Sequence, residues 1–271
     1  MTAAGRRYAS GGCQVYAPFD LTGKTCLVTG GSRGIGFGIA SALLQAGANV
    51  VIWSWDPKKV SSAADELRRF GGPVHAHQID VRSKESVEQG FEDLLEHFPL
   101  LDAVFVCAGT PQPLARLGDT PEELVREMLS VHVEGAFWTV QAACRQFERQ
   151  ARSGRPGGSI VGCSSLACRF GAPLLHAYAA AKGAVSSLMS SVAVEMARWQ
   201  VRANTIMPGW IETDLSRELR ERVGDQALRR IPARRWGRPD DIGGIAVYLA
   251  SDASAYHTGD TIVIDGGYSV A

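Results

Sequence analysis

Seven short runs of β-branched and apolar residues recur along the chain, and helix-length segments separate them. The runs are TCLVT (25–29), NVVIW (49–53), VHAHQI (74–79), DAVFV (102–106), SIVGC (159–163), RANTIM (202–207) and TIVID (261–265). Between the first two, GIGFGIASALLQAG places Ile35, Ile39, Leu43 and Leu44 on one side of a helix and stops at Gly47. Segments 57–70, 83–97, 121–150, 174–199 and 239–250 repeat that apolar spacing near 3.6. Strands joined through helices run parallel by right-handed crossovers and are covered on both faces. The alternation therefore predicts an α/β doubly wound parallel sheet of seven strands with helices on both faces. Such sheets bind ligands beyond the carboxyl ends of their strands, where the strand order reverses. The residues just after each run are the ones to inspect.

At 271 residues and 45% apolar side chains the chain suits one sizeable domain. Its 28 basic residues balance 28 acidic ones, which leaves no global field to favour nucleic acid or an acidic membrane surface. A small-molecule partner is expected. The six cysteines, Cys13, Cys26, Cys107, Cys144, Cys163 and Cys168, form no C-x-x-C, so neither a disulfide framework nor a zinc site is expected and a reducing cytoplasm fits. Nothing approaches a membrane span, and residues 1–19 lack a secretory apolar segment. Two arginines and no acid there faintly echo a transit peptide. Residues 1–20 are read instead as a disordered extension before a single domain, 21–271.

The first run leads into TGGSRGIG, with Gly30, Gly34 and Gly36, and then a helix. Glycines let the backbone approach a pyrophosphate, and a helix N-terminus offers it unpaired N–H groups. Farther on, Tyr178 and Lys182 stand four apart on one helical face, and Ser165 follows the run SIVGC. A phenol exchanges protons poorly at neutral pH, and an adjacent ammonium favours its phenolate. With a serine hydroxyl to hold a carbonyl or alcohol oxygen, the three make a proton-transfer site.

Together these features resemble the classical short-chain dehydrogenase/reductase family, particularly its 3-oxoacyl reductases, over about residues 20–271. The resemblance rests on T-G-x-x-x-G-I-G at Thr29–Gly36, Asp80, Ala108 and Gly109, Ser165 thirteen residues before Y-x-x-x-K, PGWIET at Pro208–Thr213, and the tail YHTGDTIVIDGGYS. It implies a single-domain Rossmann fold in which Tyr178 exchanges a proton with the substrate oxygen while a nicotinamide exchanges hydride at the same carbon. Lys182 would assist the tyrosine and hold the ribose, and Ser165 would orient the carbonyl. The implied cofactor contacts are Gly30, Ser32, Arg33, Gly34, Ile35, Gly36, Ser54, Trp55, Asp56, Asp80, Val81, Cys107, Ala108, Gly109, Tyr178, Lys182, Pro208, Gly209, Ile211 and Thr213, and Trp210 would line the substrate. Homo-oligomers, tetramers or dimers, are implied through helices near 121–150 and 174–199.

Two positions depart from the family pattern. Cys107 replaces the usual asparagine of N-A-G and is read as a small buried thiol, a redox-active one being the minor alternative. His132, in LSVHVEGAF, replaces the asparagine that holds a water linking the lysine to solvent, and would add a pH dependence. Glu134 lies two residues on, nearly opposite around the helix, and is incidental. Ser54 takes the place of the acid that binds a ribose 2′-hydroxyl in NAD enzymes, and Arg33 matches the basic residue of NADP enzymes. The expectation is an NADP(H)-dependent enzyme acting on a ketone or secondary alcohol, with NAD(H) possible and Asp56 as the objection. The rival is a nucleotide-binding protein without catalysis. His75 and His77 share one face of a strand, but no third ligand lies at a persuasive spacing, so no metal site is expected. The segment 210–236 is a substrate lid or, equally, a solvated helix, and its seven arginines between Ser216 and Arg235 would suit an anionic substrate.

Overall fold

The computed structural model describes residues 16–271. Seven strands, β1 (Thr25–Thr29), β2 (Asn49–Ser54), β3 (Val74–Gln78), β4 (Ala103–Val106), β5 (Gly158–Cys163), β6 (Val201–Pro208) and β7 (Thr261–Ile264), form one sheet in the order β3-β2-β1-β4-β5-β6-β7. Every pairing is parallel. The helices are α1 (Gly34–Gln45), α2 (Pro57–Leu67), α3 (Lys84–His97), α4 (Glu122–Leu129), α5 (Gly135–Arg152), α6 (Ala167–Phe170), α7 (His176–Met196), α8 (Arg217–Arg230) and α9 (Gly243–Ala250).

The continuous apolar runs make sense once both faces are seen to be covered. Leu27, Trp53, Val104 and Val106 pack beneath Phe91, Val140, Phe147, Val185 and Met189 of α3, α5 and α7. On the other face Val28, Val50, Ile52 and Phe105 meet Ile39, Leu43, Val60, Leu67 and Leu249 of α1, α2 and α9. Each such side chain, fully buried, contributes about 1.5–3 kcal/mol.

Two expectations need correction. The helix expected over 121–150 is interrupted by a π-helical turn, Ser130–Glu134, in which the Gly135 N–H donates to the Ser130 carbonyl. Apolar spacing does not register one wide turn, and such turns often mark functional positions. Residues just before Leu21 are folded: Ala17–Phe19 form a 3₁₀ turn, and the Phe19 ring sits 6.1 Å from Tyr248. The rest of the expected extension lies outside the described residues, as does Cys13. The segment 216–236, read as a lid or a solvated helix, holds a 14-residue helix, α8, in which Ala227 alone is buried.

Candidate active site

The order of the sheet reverses between β1 and β4, and one side chain joins their carboxyl ends. Thr29 Oγ1 accepts the N–H groups of Cys107 and Ala108, each at 3.1 Å. Gly30 follows with φ +66°, where a Cβ would stand 2.8 Å from Ala108 Cα. A Cβ on Gly36 would collide with the Gly30 carbonyl. α1 then opens at Gly34 with no side chain among the described residues capping it, which leaves its first N–H groups for an anion. Thr213 stands against Gly34, its Cγ2 3.2 Å from where a Cβ would be. This glycine-walled cradle at a bare helix N-terminus fits a dinucleotide pyrophosphate.

The adenosine end is shaped by local capping. Ser32 Oγ donates to Ser54 Oγ at 3.1 Å. Asp56 points the other way: its carboxylate caps α2, accepting the N–H groups of Lys58 (3.0 Å) and Lys59 (3.1 Å), which hold it below the usual carboxylate range. Trp55 is exposed. The Arg33 guanidinium is half-exposed and 3.9 Å from Asp214. Asp80 is gripped by the Arg82 guanidinium, with contacts of 2.6–3.0 Å that lower its pKa, and Val81 packs against Gly135.

Across the cleft, α7 carries Tyr178 and Lys182. Lys182 is buried, its Nζ donates to the Cys163 carbonyl at 2.8 Å, and it lies 5.7 Å from the Tyr178 ring centroid. Ser165 follows β5, and its Oγ accepts the Ala167 N–H at 3.2 Å. Gln112 escaped the sequence because a loop residue carries no periodic signal. It is buried, accepts the Tyr178 N–H at 2.7 Å and donates to the Leu174 carbonyl at 3.0 Å, fixing the start of α7.

The π-helical turn delivers His132 edge-on to Tyr178, with ring centroids 5.3 Å apart at 88°. Its Nε2 meets the Thr110 carbonyl at 3.0 Å, while buried Nδ1 has no hydrogen-bond partner among the described residues. A Cβ on Gly109 would stand 2.6 Å from His132 Cε1, so the imidazole and this glycine require each other. Burial, and then the Lys182 charge, push His132 from 6.5 down to about 3. The expected pH switch is therefore corrected: His132 stays neutral near pH 7. The unfolded chain protonates there below 6.5 and the folded protein does not, so stability is full above pH 6.5 and falls as pH drops toward 3. Relative to His132→Asn, the wild type should lose about 2 kcal/mol between pH 7 and pH 5 in urea unfolding. Parallel pH profiles would refute that assignment.

Hydrogen bonding with Cys163, and then burial, raise the Cys107 thiol, which agrees with an inert residue. On the substrate side, Trp210 packs with Trp236 (5.2 Å) and Tyr268 (6.1 Å), and Arg230 lies 4.3 Å over the Tyr268 ring. Tyr268 also gave no spacing signal. A Cβ on Gly209 would meet Asp265, and Ile211, beyond Pro208 at the end of β6, is buried. Five of the seven arginines are engaged locally: Arg217 with Asp214, Arg220 with Glu212, Arg222 with Glu218, Arg234 with the Arg229 carbonyl and Arg235 with Asp241. The expectation that His75 and His77 lack a third partner fails, because α3 brings His97 beside them. Burial, and then the other two rings, push His75 down to about 4.

A family model described as enoyl-(acyl carrier protein) reductase matches residues 30–269. The sorbose reductase of Schizosaccharomyces pombe is 35% identical over 92% of this chain and 97% of its own. A 3-oxoacyl-[acyl-carrier-protein] reductase of Chlamydia pneumoniae is 33% identical over 91% and 97%. The gluconate 5-dehydrogenase of Burkholderia cenocepacia J2315, solved with NADP and tartrate, superposes with a TM-score of 0.87 at 31% identity over 94% of this chain and 98% of that one. A seven-stranded doubly wound sheet with a glycine cradle and a Tyr-x-x-x-Lys helix defines a nicotinamide-dependent oxidoreductase acting on CH–OH groups. The chain belongs to the short-chain dehydrogenase/reductase family. No helix among the described residues is long and apolar enough to cross a membrane.

Proposed function

We propose that the protein is an NADP(H)-dependent oxidoreductase that interconverts a ketone and a secondary alcohol, with Tyr178 as proton donor and acceptor. The observation that carries this reading is the buried Lys182 ammonium, anchored on the Cys163 carbonyl and 5.7 Å from the Tyr178 ring centroid. When bound, the nicotinamide supplies or takes hydride at the reacting carbon. Ser165 orients the substrate oxygen, and Tyr178 passes its proton to that oxygen during reduction. The Lys182 charge stabilises the phenolate left behind. Buried Nδ1 of His132 is the ring nitrogen that a relay water would use. Gly30, Gly34, Gly36 and the α1 N-terminus would hold the pyrophosphate, Asp80 and Val81 the adenine, and Ile211 and Thr213 the nicotinamide half. A screen of carbonyls and alcohols with both cofactors tests the reading. Tight cofactor binding with no turnover across the panel would favour the rival, nucleotide binding without catalysis.

The preference for NADP(H) rests on Arg33 and Ser54 and on the engagement of Asp56 with its own helix. NADPH should exceed NADH in kcat/KM by about tenfold or more, the worth of one charge-assisted hydrogen bond, and Arg33→Ala should narrow the gap. A preference for NADH overturns the assignment. The substrate is a small molecule passing beneath α8, and Arg230 beside Tyr268 and Trp210 would receive an anionic group on it. The enzyme works as a homo-oligomer in the cytoplasm, its subunits meeting through α5 and α7, where Phe137 (46%) and Val194 (82%) are exposed. Light scattering should give two or four times the 29.0 kDa chain mass, and a monomer would exclude this assembly.

A further inference from the structure

The face of the sheet beneath α3 changes character at its edge. Val51 and Trp53 of β2 are fully buried there, yet their register partners on β3 are His75 and His77. His97, at the end of α3, lies over the same strand. The ring centroid of His75 is 4.3 Å from that of His77 and 3.8 Å from that of His97. One ring nitrogen from each histidine lies within 4.8 Å of the other two, and the Nε2 atoms of His75 and His77 face each other.

Asp93 sets two of the rings. Its carbonyl is 2.8 Å from His97 Nδ1, and its Oδ2 is 3.3 Å from His77 Nδ1. An imidazole that donates through Nδ1 presents Nε2 as an unprotonated acceptor, the usual arrangement of a metal-binding histidine with a carboxylate or carbonyl behind it. Among the described residues no hydrogen bond fixes the His75 ring through Nδ1, so its Nε2 is free to act as a third acceptor, and a cation between the rings would satisfy all three. The nearby cation Arg68 is already held by Asp65 at 2.6 Å.

We propose that His75, His77 and His97 bind one Zn²⁺ through their Nε2 atoms, with Asp93 as the orienting group and the fourth position left to water. Tetrahedral zinc at 2.0–2.1 Å sets ligand nitrogens about 3.3 Å apart, so nitrogens spread over at most 4.8 Å need only side-chain rotation. Three neutral imidazoles are a donor set that suits zinc rather than calcium or magnesium. His97 is exposed and provides the entry path. The ligands come from the edge strand and the helix that follows it, so the ion would tie β3 to α3. It lies on the strand that leads to Asp80 and Val81, which makes its effect a structural one.

The test uses the full chain without added histidines, stripped by a chelator and titrated with Zn²⁺ against a chromophoric zinc indicator, with bound metal counted by elemental analysis. One zinc per chain is expected, with Tm raised by roughly 5–10 °C at free zinc about a hundredfold above Kd. His97→Gln and Asp93→Ala should each weaken binding by about 10–100-fold. Because His97 is exposed, the stripped His97→Gln protein should melt with the stripped wild type, which separates lost binding from lost folding. Co²⁺ in place of zinc should show the visible bands of a tetrahedral site. Failure to bind stoichiometric zinc, or unchanged affinity in His97→Gln, would overturn the proposal.

Discussion

Tyr178→Phe is expected to lower kcat by roughly 10²–10⁴-fold, the usual worth of a positioned general acid or base, while the affinity for NADPH stays the same. The substitution removes one oxygen and little volume. Tyr178 keeps its N–H bond to Gln112 (2.7 Å) and the edge contact of its ring with His132. Lys182 keeps its anchor on the Cys163 carbonyl. The loss therefore falls on proton transfer and not on the cradle across the cleft. Steady-state kinetics and a fluorescence titration with NADPH separate the two, and a variant with near-normal turnover would end the mechanism.

Gly30→Val should abolish detectable NADPH binding and destabilise the fold by about 2–6 kcal/mol, combining a strained backbone with overpacking. Two constraints meet at this residue. Its φ of +66° disfavours any side chain, most of all a β-branched one. Its Cβ would stand 2.8 Å from Ala108 Cα, in backbone that Thr29 pins from the other side. Gly23 separates the two effects, because its φ is +79° with nothing among the described residues within 4 Å of a Cβ. Gly23→Ala should cost only about 1 kcal/mol of backbone strain. Thermal melts of the two variants make the comparison, and equal losses would mean that the packing against Ala108 is unimportant.

The sheet was legible because parallel strands buried on both faces must be apolar throughout, and helices must repeat every 3.6 residues. Gly30, Ser165, Tyr178 and Lys182 stand out as candidates for the same local reason: their spacing follows directly from a strand end or a helical turn. Gln112 and Tyr268 were not, since loops bring them in without periodicity. Asp56 illustrates a different limit, because an acid after β2 reads alike whether it faces a ribose or caps its own helix.

By itself, the amino-acid sequence determined the alternation of strands and helices, the glycine loop and the Tyr-x-x-x-Lys pair, all set by backbone geometry over a few neighbouring residues. Only the tertiary structure decided what depends on contacts between distant segments. Burial at a π-helical turn, and then the Lys182 charge, keep His132 neutral. The third histidine beside His75 and His77 lies twenty residues farther along the chain, and only the packing of α3 on the edge strand brings it there. Burial and charge at these places are sums over neighbours that no short window of sequence contains.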